Sequence, residues 1–178
     1  KTLLRKARGF LSQNVGAFEV FTYPLVGNEA KSFNYPQSKD IELINFLSED
    51  NRYMRDNLIN SILEKVHLNS KHEDEFKIFE IGKVYDAVIN RFSEEKYSLI
   101  VASYSKSKDR SPFIDLVNNS ERLLKFLNIP YSIDRKSNKF KNSTVNQDWE
   151  FLHPVEFLNI KMMGALDGAI FSVHPALL

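Results

Sequence analysis

The chain has no cysteine, which excludes disulfide staples and thiolate metal sites and is compatible with a reducing compartment. It has six glycines, and they form no phosphate-cradling cluster, so simple P-loop and dinucleotide-binding readings are excluded. It has no apolar run near the roughly 18 residues a bilayer span requires, and no hydrophobic signal-like segment at its start. It also lacks an excess of one charge. Lys and Arg number 24 against 23 Asp and Glu, a net charge of +1, so no global field draws the chain to nucleic acid or an anionic membrane. Any RNA contact would have to be local, and the chain reads as soluble.

What is present is 178 residues of 43% hydrophobic content, enough for one well-buried core but hardly for two. Residues 1–178 are therefore read as one domain. The opening on Lys1 and the apolar close, Ala176-Leu177-Leu178, read as those of a segment of a longer polypeptide.

Leu3, Leu4, Ala7, Phe10, Leu11 and Val15 recur at helical spacing, with Lys1, Arg5, Lys6 and Arg8 on the remaining face. This amphipathic helix should end near Asn14 to Gly16. From Ala17 to Val26 a strand is predicted, with an edge or bulge at Pro24, which lacks a donor. Ile41, Leu43 and Ile44 make a short strand. Asp56 is the expected N-cap of a helix carrying Leu58, Ile59, Ile62, Leu63 and Val66, which fades by Asn69. Phe76 to Asp86 is apolar on both faces, as a covered central strand requires. Tyr97 to Tyr104 is another strand, and Ser111-Pro112 opens a third helix. Tyr131 to Ile133 is a short strand. Phe157 to Ala165 and Ala169 to Val173 read as a hairpin turning at Asp167-Gly168. Antiparallel pairs interrupted by helices argue for an α+β fold.

Few residues carry chemistry. His67, His72, Glu73 and Asp74 match neither a helical i, i+4 metal pair nor a finger, so no metal site is assigned. His153 and His174 each precede proline, which favours an extended backbone and a ring bonded to nearby backbone. Ser48, Ser111 and Ser172 lack a Gly-flanked nucleophile turn. Gly164 and Gly168 suit a hairpin turn better than a ligand. Arg55, just before a helix, is suited to hold a carboxylate within the fold or across an interface. No catalytic, cofactor-binding or metal-binding residue is assigned.

Ordered blocks of the chain resemble the beta subunit of phenylalanyl-tRNA synthetase. Gly16-Ala-Phe-Glu-Val-Phe-Thr-Tyr-Pro24 after an amphipathic helix is similar to the first class II motif, an interface-building helix and strand. Asn45-Phe-Leu-Ser-Glu49, Tyr53-Met-Arg55 and the following leucine-rich helix resemble a second block. Phe79-Glu-Ile-Gly-Lys-Val-Tyr85 resembles the entry strand of the second motif, and Leu152-His-Pro154 with Val173-His-Pro-Ala-Leu177 the paired His-Pro blocks. Phe46 stands where the family usually has Pro, and Val155 where Gly is common.

The resemblance implies a class II aminoacyl-tRNA synthetase-like fold, a mainly antiparallel sheet flanked by helices. It also implies a non-catalytic role. Catalytic members place an ATP-holding Arg after the second-motif strand, and Asp86 stands there; an acidic group would repel a triphosphate. The third motif, a Gly-rich strand ending in a second ATP-binding Arg, does not occur in these residues. The implied function is a scaffold for the alpha subunit, in a cytoplasmic (αβ)₂ heterotetramer that meets tRNA(Phe) as a holoenzyme, with ATP and Mg at the alpha subunit. The alternatives are a stand-alone regulatory paralogue and an active class II ligase with rearranged ATP contacts.

Overall fold

The computed structural model describes residues 2–28, 41–89, 92–107, 109, 111–134, 152–164 and 166–173, with backbone alone at 86–89, 92, 93, 166 and 167. The elements run α1 (Thr2–Phe10), β1 (Phe18–Glu19), β2 (Leu25–Val26), β3 (Ile41–Glu42), β4 (Tyr53–Met54) and α2 (Ile59–Asn69). They continue with β5 (Glu75–Ile89), β6 (Phe92–Ser105), α3 (Pro112–Phe126), β7 (Tyr131–Asp134), β8 (Leu152–Met162) and β9 (Leu166–Val173). The class is α+β. The strands form three small sheets, ordered β1-β5-β6, β2-β4-β3 and β7-β8-β9. Among the described residues five of the six pairings are antiparallel, and β1 runs parallel to β5.

α1 loosens into a wider turn over Leu11–Val15 and stops at Gly16, whose φ of 72° is the left-handed value glycine adopts without a Cβ penalty. The turn keeps Leu11 and Val15 pointing inward, and Arg8 pairs with Glu19 at 2.6 Å, fastening the helix to β1. Ala7, Phe10, Leu11, Phe79, Ile81 and Leu123 form one core on the first face of β5. Phe79 is fully buried there. On the opposite face Ile62 and Val66 of α2 meet Ile78. β5 is thus covered on both sides, as its two-faced apolar pattern requires.

α3 joins two sheets with adjacent residues: Leu123 packs against β5, while Leu124 packs against Ile160 and Ile170 of the third sheet. Ser111 caps this helix, its hydroxyl accepting from the Ile114 N–H, and Pro112 occupies the first turn.

Three local expectations are corrected. The strand expected from Ala17 to Val26 is two dipeptide strands on different sheets, because residues 20–24 leave β5 to reach β4. Asp56 is not the cap of α2; the cap position is Leu58, which offers no side-chain cap, and the Asn57 side chain before it accepts from the Ile59 N–H at 2.9 Å. Asp167-Gly168 is not a turn. Both residues pair with β8, opposite Lys161 and Ile160, and the chain reverses after Met162 through Met163 (φ 53°) and Gly164 (φ 76°).

Candidate functional site

The least ordinary feature of the fold is a charge pair inside it. Glu80 sits on β5 between Phe79 and Ile81, its side chain on the same face as Ile78 and Val84. A carboxylate there is costly unless fully partnered. Its partner is Arg55, which follows β4, and the two side chains are 3% and 5% exposed.

The geometry forms a closed ring. Arg55 Nη2 donates to Glu80 Oε1 at 2.9 Å, and Arg55 Nη1 donates to Thr22 Oγ1 at 2.6 Å. The Thr22 hydroxyl in turn donates to Glu80 Oε2 at 2.6 Å. Arg55 Nε donates to the Lys83 carbonyl at 3.0 Å. Both carboxylate oxygens and all three guanidinium nitrogens are thereby occupied. The backbone of Arg55 is tied as well, its N–H to the Pro24 carbonyl at 3.0 Å and its carbonyl to the Tyr85 N–H at 2.9 Å.

Gly82 makes the site possible. A Cβ there would overlap Arg55 Nη2, lie 2.8 Å from Glu80 Oε1 and come within 3.2 Å of Leu58 Cδ2. The guanidinium cannot swing aside without breaking the ring, so glycine is required for the close approach rather than for its torsions.

Beside this ring a second arginine braces the small sheet. Arg52 pairs with Glu42 at 2.7 Å and Glu49 at 3.0 Å, and lies over the rings of Phe46 at 4.7 Å and Tyr53 at 5.4 Å. The two carboxylates raise its pKa further, so it stays charged throughout.

The cluster is neutral as a whole and closed, which makes it a joint between segments. Thr22 comes from the stretch between β1 and β2, Arg55 from the end of β4, and Glu80 with Gly82 from β5. An open cleft of about 530 Å³ lies near the end of α1, lined by Gly16, Phe18, Val20, Glu73, Glu75 and Phe76 among others. None of the buried polar side chains Arg55, Ser61, Glu80 and Asn159 lines it.

The residues singled out in the sequence fall as follows. Arg55 holds a carboxylate within the fold. His153 Nδ1 accepts from the N–H groups of Val155 and Glu156 at 3.3 and 3.1 Å, a ring bonded to backbone beside the irregularity between Leu152 and Phe157. His67 and His72 are exposed, and Asp74 pairs with Lys106 at 2.6 Å. Among the described residues no group of three His, Asp or Glu side chains converges on a metal position. Ser48 accepts from the Asn51 side chain at 3.2 Å, and Ser172 lies in β9. Asp86 pairs through its backbone position with Glu94; its side chain, like His174, lies outside the described residues. Sequence reading missed Glu80, Thr22 and Gly82 as one unit. The available signal was a lone carboxylate inside an apolar strand, which demands a buried cation.

The chain matches, over residues 1–178, the family model described as the phenylalanyl tRNA synthetase beta chain CLM domain. It is 25% identical to the phenylalanine–tRNA ligase beta subunit of Leptospira borgpetersenii, covering 100% of this chain and 22% of that protein. It is 25% identical to the Solibacter usitatus beta subunit over 91% of this chain and 20% of that protein. The Aster yellows witches'-broom phytoplasma beta subunit is 27% identical over 92% of this chain and 19% of its own length. The chain thus spans about a fifth of these relatives. Among solved structures, the pyrrolysyl tRNA synthetase PylSc of Desulfitobacterium hafniense superposes with a TM-score of 0.62 at 15% identity, over 93% of this chain and 55% of that one. That likeness gives the fold, which is of the tRNA synthetase kind. The blocks along the sequence and the match over its whole length agree: the chain belongs to the phenylalanyl tRNA synthetase beta chain CLM domain family.

Proposed function

We propose that this chain is the non-catalytic, catalytic-like core of a phenylalanine–tRNA ligase beta subunit and that it scaffolds the alpha subunit. The alpha subunit attaches phenylalanine to tRNA(Phe) and holds ATP and Mg. The assembly is an (αβ)₂ heterotetramer in the cytoplasm, and tRNA(Phe) meets this chain through the holoenzyme. The observation that carries the reading is a strip of exposed rings on β1 and the segment leaving it: Phe18, Phe21 and Tyr23 are 72%, 78% and 65% exposed. Large rings in water favour burial against a partner. The partner is identified by the family, since a beta chain implies an alpha chain.

The test is to mix complete beta subunit with the alpha subunit of the same organism and follow assembly by size-exclusion chromatography with light scattering. A variant carrying Phe21→Ala and Tyr23→Ala should fold normally and bind alpha at least about tenfold more weakly. Unchanged assembly by that variant would defeat the docking strip. Phenylalanine-dependent pyrophosphate exchange by the beta subunit alone would defeat the non-catalytic assignment.

A further inference from the structure

The buried ring has its own connection to that exposed strip. Residues 20–24 run between two sheets, and among the described residues few bonds hold them. The Val20 N–H donates to the Phe79 carbonyl at 2.8 Å, the Pro24 carbonyl accepts from the Arg55 N–H at 3.0 Å, and between these anchors stands Thr22. Its hydroxyl both accepts from Arg55 and donates to Glu80, each at 2.6 Å. Pro24 offers no N–H of its own. Along this stretch burial alternates: Phe21 and Tyr23 are exposed, while Thr22 between them is turned inward. Holding Thr22 in is therefore what holds the two rings out.

We infer that Thr22, Arg55 and Glu80 form a latch that positions the Phe21–Tyr23 strip for docking, so that Arg55 and Glu80 are positioning residues for an interaction they do not touch. The inference rests on the docking reading above. The partner this strip fits is one that presents an apolar groove to two separated rings, with the alpha subunit as its occupant. Preformed presentation matters because a loose strip loses its conformational freedom on binding, and that loss subtracts from affinity.

The experiment uses complete beta subunit and its alpha partner, with the dissociation constant read by titration of labelled alpha subunit. Thr22→Val keeps the shape, removes the hydroxyl and leaves the direct Arg55–Glu80 pair in place, so the fold is retained. It should weaken binding about fivefold. Thr22→Ser, which keeps the hydroxyl, should restore most of it. Phe21→Ala should weaken binding by about tenfold or more. The double variant should lose less than the product of the two, because both act through one strip. Hydrogen exchange in residues 18–25 should rise in Thr22→Val while α1 and β5 stay protected. If Phe21→Ala weakens binding and Thr22→Val leaves it unchanged, the latch is overturned and the docking reading stands. If Phe21→Ala has no effect, the docking reading falls and takes the latch with it.

Discussion

Replacing Glu80 by alanine tests whether the ring around Arg55 is closed. The substitution removes a carboxylate that is 3% exposed and leaves a guanidinium that is 5% exposed without its counter-charge. Breaking a buried pair in this way costs about 3–5 kcal/mol, because the remaining charge keeps its desolvation penalty. Against a typical domain stability of about 5–15 kcal/mol this is a large share. A natural local reporter exists, since the Tyr85 N–H donates to the Arg55 carbonyl at 2.9 Å. In Glu80→Ala, native-state hydrogen exchange of peptides containing Tyr85 should accelerate by about 10²–10⁴-fold. The companion variant carrying both Arg55→Met and Glu80→Leu removes both charges together. It should exchange more slowly than Glu80→Ala, because replacing a buried pair by apolar groups leaves no charge stranded. Acceleration of less than about fivefold in Glu80→Ala would mean that Arg55 is readily re-solvated, and the closed-ring account would be refuted.

Other parts of the fold give smaller, separable effects. Gly164→Ala introduces a side chain with nothing within 4 Å, so its whole effect is backbone strain at φ 76°; about 1 kcal/mol of lost protection should be confined to the β8–β9 hairpin. Gly82→Ala should instead cost about 2–4 kcal/mol and spread to β4, since its Cβ displaces Arg55. Lys83 and Lys106 have raised pKa values because they hydrogen-bond Glu95 and Asp74 respectively. A raised folded value stabilises below the unfolded one and is lost as pH rises through the folded one, so the window lies above 10.5. Lys106→Gln, at an exposed pair, should lower the unfolding midpoint only slightly at neutral pH, and its gap to the parent should close as pH rises through that alkaline window.

What was legible in the sequence was local. The glycine that ends the first helix, the Ser-Pro that opens the third, and the doubly apolar central strand all act within a few residues of themselves. Two errors were also local, but outcompeted. Asp167-Gly168 is a strong turn pair, yet it lies in ladder register opposite Lys161 and Ile160, and Met163-Gly164 turns the chain instead. Asp56 does not cap α2: the cap position falls to Leu58, and the Asn57 side chain accepts from the Ile59 N–H. The far end of the β5–β6 ribbon, from Asp86 to Ile89 and back from Phe92, was also not foreseen. The ring itself could not be read from pattern. Thr22 and Glu80 are 58 residues apart, and no periodicity links a hydroxyl on one segment to a carboxylate on another. Arg55 was picked out as a carboxylate holder, but which carboxylate it holds depends on β4 meeting β5, a tertiary fact.

An apolar pair at 55 and 80 would satisfy burial as well as the ion pair does, so stability alone does not explain why the charges are there. Direction does. Apolar contacts fill space without fixing orientation, whereas the Arg55 guanidinium presents its donors in a fixed plane, to Lys83 O, Thr22 Oγ1 and Glu80 Oε1. A one-residue shift of β4 along β5, or of residues 20–24 along either, would leave at least one of these groups buried and unpaired, at about 1–3 kcal/mol or more. The segment from Val20 to Pro24 most needs such a restraint, because among the described residues its backbone bonds lie at its two ends and Thr22 ties the middle. A buried charge pair at this junction fixes the alignment of three segments at once. That alignment is what the proposed docking edge would require of the core behind it.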